Sequence, residues 1–494
     1  MERIDFLKDS RAIHSSQFQE SSAARASASG STARRSHREN QAVDQCNIVL
    51  VTRLRGFIHS HASYRICEDN SAKKLNLTDP GTIVYRLFRI KAIGYYIRIS
   101  LLFRWNIDRS VYHMASRGFP RKRGLGKVLD LKTSNTIDYL IVGQGLAGSI
   151  LAWLLEQHRQ EVVIVDNATQ LSASKIAAGI VNPVSGQRLV KHPRAGICLA
   201  RARAFYANLE GFFNQAFYFE RPMIRLFKSE KEQKTFLERK TEPAYSPYIG
   251  DSFQERQVWP VPANRFGGFH QKNCGYLNTR QFLDTMRMHF RSRNRLFETE
   301  FSWMQISPKQ AEIVWNGRRV GHVISCEGFR AGGNPCFSWL PFQLSKGEIV
   351  TMESTGDLPE TIINQGKWLL PLTRQVFKCG ATYEWQSLNT RPSIAARALL
   401  YSTARELLIQ NIEFNVIAQE AGLRSGSLDK NPIAGIHPAI PALGIFSGFG
   451  SRGVLTIPYY AEHFVEHLLH KTVLPKEIDV ARYLAYYETG RTCP

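Results

Sequence analysis

A chain of 494 residues, 43% of them hydrophobic, is long enough for more than one globular domain and has an ordinary apolar content. Its 64 lysines and arginines against 42 aspartates and glutamates give a net charge of +22, and residues 1–135 alone hold 24 basic and 11 acidic side chains, a net of +13. The eight cysteines have neither C-x-x-C nor other ligand spacing, which argues against a metal site or a disulfide framework, and no stretch reaches the ~20 apolar residues of a membrane span.

Residues 1–40 are rich in Ser, Ala and Arg, a composition that cannot bury enough apolar surface to offset chain entropy. Residues 41–135 contain apolar runs without a clear order of elements and end in a basic loop over 117–124. We expect 1–135 to be a basic, largely disordered leader, dispensable through residue 113 if translation starts at Met114. A nucleic-acid or membrane-surface arm is one alternative. A transit peptide is another, against which Glu2, Asp5 and Asp9 count.

At residue 137 the pattern changes. An apolar, β-branched run over 137–142 enters Gly143-Gln144-Gly145-Leu146-Ala147-Gly148, a helical spacing continues to Gln157, and a second apolar run over 162–165 ends at Asp166. Strand, G-x-G-x-x-G, helix and strand form the opening βαβ unit of a dinucleotide-binding domain. Gly143 permits the tight turn, Gly145 lets backbone approach a pyrophosphate, and Gly148 lets the helix pack closely. The helix start at Leu146 and Ala147 presents free N–H groups to phosphate. Asp166, 23 positions after Gly143, is placed to accept from ribose hydroxyls.

Further along, helices are predicted over 195–209, over 279–292 with Asn278 as N-cap, and over 393–410. Strands are predicted over 217–227, 257–261, 297–306, 311–315, 320–325, 346–352, 368–371 and 376–381. A second strand, glycine turn and helix then appear: an apolar run over 443–446, Gly448-Phe449-Gly450-Ser451-Arg452-Gly453, and a helix over 458–470. Two such turns in one chain suit a flavin dinucleotide, one for the pyrophosphate and one aiming a helix N-terminus at the flavin edge that becomes anionic on reduction.

With these motifs, and with the segments 172–183, 323–328, Lys346-Gly347-Glu348, 422–435 and 448–458, the chain resembles FAD-dependent oxidoreductases of the D-amino-acid oxidase and glycine oxidase type over about 136–475. The resemblance implies an α/β fold with an α+β insert: a Rossmann-like FAD-binding domain (136–210, 271–334, 411–475), an inserted sheet-rich substrate domain (211–270, 335–410) and a C-terminal tail (476–494). It implies FAD contacts from Gly143, Gly145, Leu146, Ala147, Gly148, Asp166, Asn167, Ser174, Lys175, Ala178, Gly179, Gly328, Gly448, Gly450, Ser451, Arg452, Gly453 and Val454. Arg424 would hold a substrate carboxylate, with Arg452 as second candidate. Some relatives attach flavin to a cysteine before this region; Ala421-Gly422-Leu423 offers none, so FAD is expected to be noncovalent.

The implied reaction moves hydride from the carbon beside a substrate nitrogen to the flavin, leaving an imine that hydrolyses. The cofactor does the hard step, and no general base, catalytic triad or metal motif stands out. Tyr276 and Tyr383 are candidate pocket residues, although tyrosines in aromatic-rich strands more often belong to the core; Cys379 reads as an apolar strand residue, and His437 as a turn residue. The expected substrate is a small amine or amino acid, the expected compartment the cytoplasm. One rival is an oxidase acting on a carboxymethylaminomethyl group of a tRNA uridine, to which the positive charge would be suited. The other is a nucleic-acid-binding protein with a degenerate cofactor fold, for which basic helices and stacking motifs are lacking.

Overall fold

The computed structural model describes residues 84–89, 97–102, 135–167, 172–255, 260–305 and 312–490. Two compact units are present, Met1–Gly126 and Lys127–Pro494. In the first, strands Val84–Arg89 and Ile97–Leu102 pair antiparallel, with Val84 opposite Leu102. The sequence reading finds no element there, because the arginines at 86, 89 and 98 interrupt the apolar period while β-branched and aromatic neighbours still favour a strand. The remainder of the leader lies outside the described residues.

The second unit is built on two sheets. The first has the order Leu296–Phe297, Val162–Val165, Thr136–Val142, Arg318–Ser325, Leu443–Ser447, Ile433–Ile436, with Ile313–Trp315 paired to Arg318–Ser325. The first five run parallel and the last antiparallel. Every residue of Val162–Val165 and Leu443–Ser447 is buried, as expected of parallel strands covered on both faces. Helix Leu146–Gln157 covers one face and packs on helix Gly453–His470, which also packs on helix Ala195–Phe213.

Helix Gly453–His470 starts before Pro458, where the sequence places its beginning. Proline has no N–H to give the carbonyl four residues earlier, a loss that ordinarily breaks a helix. Here the buried Tyr206 hydroxyl donates to that carbonyl, Val454 O, at 2.9 Å. The proline is therefore accommodated by a hydrogen bond from the neighbouring helix.

The second sheet has the order Ile249–Phe253, Gly268–Gln271, Met223–Leu226, Ile362–Gln365, Lys367–Pro371, Val376–Gly380, Phe342–Ser354, Phe414–Ser427. Helix Ile394–Leu407, capped by Ser393 Oγ accepting from Ala396 N, buries Leu400, Ala404 and Leu407 against Val350, Phe377 and Cys379 on one face. Residues 414–427, grouped by the sequence reading with the third nucleotide-binding piece, run in this sheet, paired along their length with Phe342–Ser354. A three-stranded sheet (Ile180–Val181, Gly275–Leu277, Tyr218–Glu220) lies along the chain's crossings between the two.

Other expectations shift locally. The strand predicted over 297–306 shortens to Leu296–Phe297 followed by a 3-10 turn, Trp303–Gln305, because charged Glu298 and Glu300 end the apolar run and Trp303 Nε1 turns back to donate to Glu327. Of 257–261, only 260 and 261 are described. The expected tail is packed: Ile478, Val480 and Tyr483 are buried, and Arg482 bonds Asp429 and the carbonyls of Asn431 and Pro432. Among the described residues no helix is long and apolar enough to cross a membrane.

Candidate cofactor and substrate site

The parallel strands Thr136–Val142, Val162–Val165, Arg318–Ser325 and Leu443–Ser447 all deliver their C-terminal ends to one cavity of about 750 Å³, where open α/β sheets bind ligands. One face of the second sheet closes it: Gly347 and Ile349 line it from one strand, with Glu348 between them outside the lining, and Gly422, Leu423, Arg424 and Ser425 line it from the next.

The three glycines of the first motif differ in what surrounds them. Gly143 has φ +105°, and a Cβ there would stand 2.6 Å from Cys326 O; a Cβ on Gly148 would stand 2.0 Å from Gly143 O. Gly145 meets only Ser174, whose Oγ would lie 3.3 Å from a Cβ, so its open side is the cavity. It forms a cradle that a side chain would fill and a phosphate fits. Ser174 Oγ also accepts from Leu146 N at 3.2 Å, fixing the helix start.

Asp166 is held before any ribose arrives. Its Oδ1 accepts from Gln144 N at 2.8 Å and its Oδ2 from Arg287 Nη1 at 3.1 Å. Arg287, from helix Thr279–Ser292, also donates to Gln144 Oε1 at 2.7 Å. A second cavity, about 440 Å³, adjoins at Asp166 and is lined by Asn167, Phe301 and Trp303. Glu327 shares in both, accepting from Trp303 Nε1, Ser325 Oγ and Asn334 Nδ2.

At the second motif Gly448 (φ +79°) and Gly450 (φ +56°) turn the chain, and Gly450 N donates to Ser425 O at 2.8 Å, tying the turn to the second sheet. Arg452 is the N-cap residue of the 18-residue helix that follows, whose first turn lines the cavity and presents a positive dipole end to it. Arg452 reaches Ser185 Oγ at 3.5 Å. Behind it lies His192, pushed down to about 4 by burial and by the charges of Arg452 and Arg194.

Arg424 stands apart from these groups on Phe414–Ser427. Its guanidinium lies 4.3 Å over the Tyr383 ring, and Nη1 donates to Thr382 O at 3.2 Å. Gly347 on the adjacent strand makes the room: a Cβ there would stand 2.1 Å from Nη2. Burial lowers the Arg424 pKa from its ordinary value, with Tyr383 opposing, and among the described residues no carboxylate pairs with it. Trp368 and Ile349 close over Gly380, where a Cβ would stand 2.8 and 3.0 Å from them. The result is a cation at one end of an apolar, aromatic-walled slot.

The cavity thus gathers Gly143, Gly145, Leu146, Ala147, Asp166, Ser174, Ala178, Gly179, Gly328, Arg424, Gly448, Gly450, Ser451, Arg452, Gly453 and Val454. Gly148 sits behind it as a packing residue, Asn167 lines the second cavity, and Lys175 lines neither. Of the two tyrosines that the sequence offers as pocket or core, Tyr383 is half exposed and part of the wall, and Tyr276 is buried, stacked on Phe219. Cys379 is buried, its thiol pushed up to about 12 by burial and bonded to Leu400 O. Gln144 fills the variable position of the first motif, whose pattern assigns it no task, and Arg287 and Trp368 went unread because no motif marks them.

The FAD-dependent oxidoreductase family model matches residues 138–467. A tRNA 5-methylaminomethyl-2-thiouridine biosynthesis bifunctional protein of Marinobacter nauticus is 23% identical over 76% of this chain, which spans only 62% of that protein's length. Glycine oxidase of Pseudomonas aeruginosa is 28% identical over 24% of this chain and 33% of its own. Among solved structures, glycine oxidase from Geobacillus kaustophilus superposes with TM-score 0.59 at 20% identity, covering 70% of this chain and 97% of that one. Iminodiacetate oxidase from Chelativorans sp. gives 0.58 at 18%, covering 70% and 98%. The matched region contains both glycine motifs, Asp166 and Arg424, so the residues that shape the cavity are those the family model spans: the chain belongs to the DAO family of FAD-dependent oxidoreductases.

Proposed function

We propose that the protein oxidises the C–N bond of an amino acid or N-substituted glycine. The observation that carries this reading is Arg424, a largely buried guanidinium in the cavity with an aromatic ring on one face and no carboxylate among the described residues paired with it. A desolvated cation without a counter-ion is costly, and a two-oxygen carboxylate from the substrate matches its fork. FAD, when bound, accepts the hydride removed from the carbon beside the nitrogen. Gly145 and the start of helix Leu146–Gln157 would hold its pyrophosphate, Asp166 with Asn167 its ribose side, and the start of helix Gly453–His470 its flavin. Ala421, not a cysteine, stands immediately before Gly422, and the cavity-lining Cys326 is buried against Gly143 and Gly148, so FAD is held without a covalent bond.

The remaining tasks fall to the chain's own side chains. Arg424 fixes the carboxylate, Tyr383 and Thr382 O fix Arg424, and Trp368 with Ile349 keeps water from the slot. Binding energy spent at the carboxylate thereby orients the C–N bond. The described free cysteines suit a reducing compartment, in keeping with the cytoplasm. We read 136–210, 271–334 and 428–475 as the FAD-binding pieces and the sheet containing 414–427 as the substrate domain.

A second reading, oxidation of a carboxymethylaminomethyl group on a tRNA uridine, draws on the similarity to the Marinobacter protein over 76% of this chain. One experiment tests both. Purified protein should be yellow, and its flavin should bleach anaerobically with an N-carboxymethyl amine. Bleaching only by tRNA bearing the modified uridine would favour the second reading. A colourless protein that does not take up FAD would refute both.

A further inference from the structure

Lys346-Gly347-Glu348 contains two charges that the cavity does not use. Gly347 lines the cavity beside the Arg424 guanidinium, whereas Lys346 and Glu348 on either side of it lie outside the lining. Their charged ends meet at 3.3 Å, only 5% and 4% exposed. A buried ion pair is a costly way to stabilise a sheet, since apolar side chains of similar volume often do as well or better. Its further bonds give it another task.

Apart from Gln419 Nε2, which donates to Glu348, the other partners of these two side chains among the described residues all belong to one segment, residues 382–393. Lys346 Nζ donates to Asn389 Oδ1 at 3.1 Å and to Arg391 O at 2.6 Å, and Glu348 accepts from Ser393 N and Ser393 Oγ, both at 2.8 Å. The backbone of the same two residues holds the segment's other end. Lys346 N donates to Glu384 O at 2.8 Å, Glu384 N donates to Lys346 O at 3.0 Å, and Glu348 N donates to Thr382 Oγ1 at 2.9 Å. Residues 385–389 are exposed, so burial does little to fix this stretch and the clamp at its two ends must.

The clamped segment is the one that touches Arg424, through the Tyr383 ring at 4.3 Å and the Thr382 carbonyl at 3.2 Å. We propose that Lys346 is a positioning residue for the substrate carboxylate, with Glu348 as its counter-ion and second anchor. From the far side of Gly347 the pair holds residues 382–393 as a strap, and the strap holds the Arg424 fork at the angle a carboxylate must meet. The proposal rests on the reading of Arg424 as the carboxylate's partner and adds what keeps that partner in place. One triplet then builds the carboxylate end of the slot: its glycine makes the room, and its two charges fix the wall.

The test uses the FAD-loaded full chain and propionate, a carboxylate without a C–N bond, with its Kd read from the flavin spectrum. Asn389→Ala removes, at an exposed position, one of the two strap oxygens that Lys346 meets and leaves the ion pair itself; it should raise that Kd by about threefold. Lys346→Met should raise it by about tenfold, and both variants should keep wild-type FAD content. With an N-carboxymethyl amine the same variants should raise KM by similar factors and change kcat less. Asn389→Asp, which keeps the oxygen, should bind propionate as wild type does. A pair that only stabilises the fold would lower Tm and leave Kd and KM at wild-type values, and that result overturns the proposal. An equal loss in Asn389→Ala and Asn389→Asp also overturns it. If Lys346→Met does not fold, the two Asn389 variants decide. Propionate bound as tightly by Arg424→Ala as by wild type is a different failure: the carboxylate reading itself then falls, whatever the strap variants do.

Discussion

The guanidinium of Arg424 occupies the space that a side chain on Gly347 would fill, Nη2 standing 2.1 Å from where that Cβ would be. The two residues lie on adjacent antiparallel strands, so a glycine on one is the condition for a cation in the slot on the other. Gly347→Ala should displace Arg424 and lower kcat/KM for a carboxylate substrate by at least about tenfold, a loss of ~1.4 kcal/mol of transition-state stabilisation, while FAD content stays at wild-type level. Steady-state kinetics beside the flavin spectrum check this; an unaltered kcat/KM shows that Arg424 does not need the room.

Arg424→Ala removes the carboxylate's partner from a desolvated slot and should cost on the order of 2–5 kcal/mol in kcat/KM. Arg424→Lys should recover only part, since an ammonium cannot fork across two oxygens. If the lysine variant matches wild type, the bidentate contact is wrong.

Cofactor binding should depend on Arg287 although it does not touch the cavity wall. By holding Asp166 and the Gln144 side chain together, it presents Asp166 in one orientation. Arg287→Ala should weaken FAD by about 1.5–3 kcal/mol, the usual range for losing a hydrogen bond to a charged group, read as a raised Kd in apoprotein titration. Gly145→Val should go further and give folded, colourless protein. Wild-type FAD stoichiometry in the valine variant would refute the phosphate cradle.

His192 gives stability a pH dependence. Its folded pKa is lowered to about 4 from 6.5 by burial and then by Arg452 and Arg194, so between these values the unfolded chain takes up a proton at this site and the folded chain does not. Stability from this group is complete above pH 6.5 and erodes as pH falls toward 4, by at most about 3 kcal/mol. The fall in Tm between pH 7 and pH 4.5 should be smaller in His192→Asn, which keeps an acceptor for Arg194 N, than in wild type. Equal falls would remove His192 as a cause.

The cofactor half of the site was legible because glycine carries its reason with it: Gly143 and Gly148 are dictated by contacts of 2.6 and 2.0 Å, and such positions recur at fixed spacing. Arg424 was legible only through resemblance. The substrate wall was legible only in part: Tyr383 is a pocket candidate in the sequence, but it and Trp368 have the composition of core strands and become a wall only because Gly347 and Gly380 opposite them have no side chains. Pro458 misplaced a helix start because the Tyr206 hydroxyl that compensates for it lies 252 positions away in the chain. Long-range partners of this kind leave no local period to read.

Anaerobic mixing of the FAD-loaded protein with an N-carboxymethyl amine, followed by the flavin absorbance, tests the central claim most directly. Wild-type flavin should bleach in a single turnover, and Arg424→Ala, with its full complement of FAD, should bleach at least about a hundredfold more slowly at subsaturating amine, the equivalent of ~2.7 kcal/mol. Flavin that stays oxidised in the wild type with every amine and amino acid tried, or that bleaches equally fast in Arg424→Ala, would contradict the account.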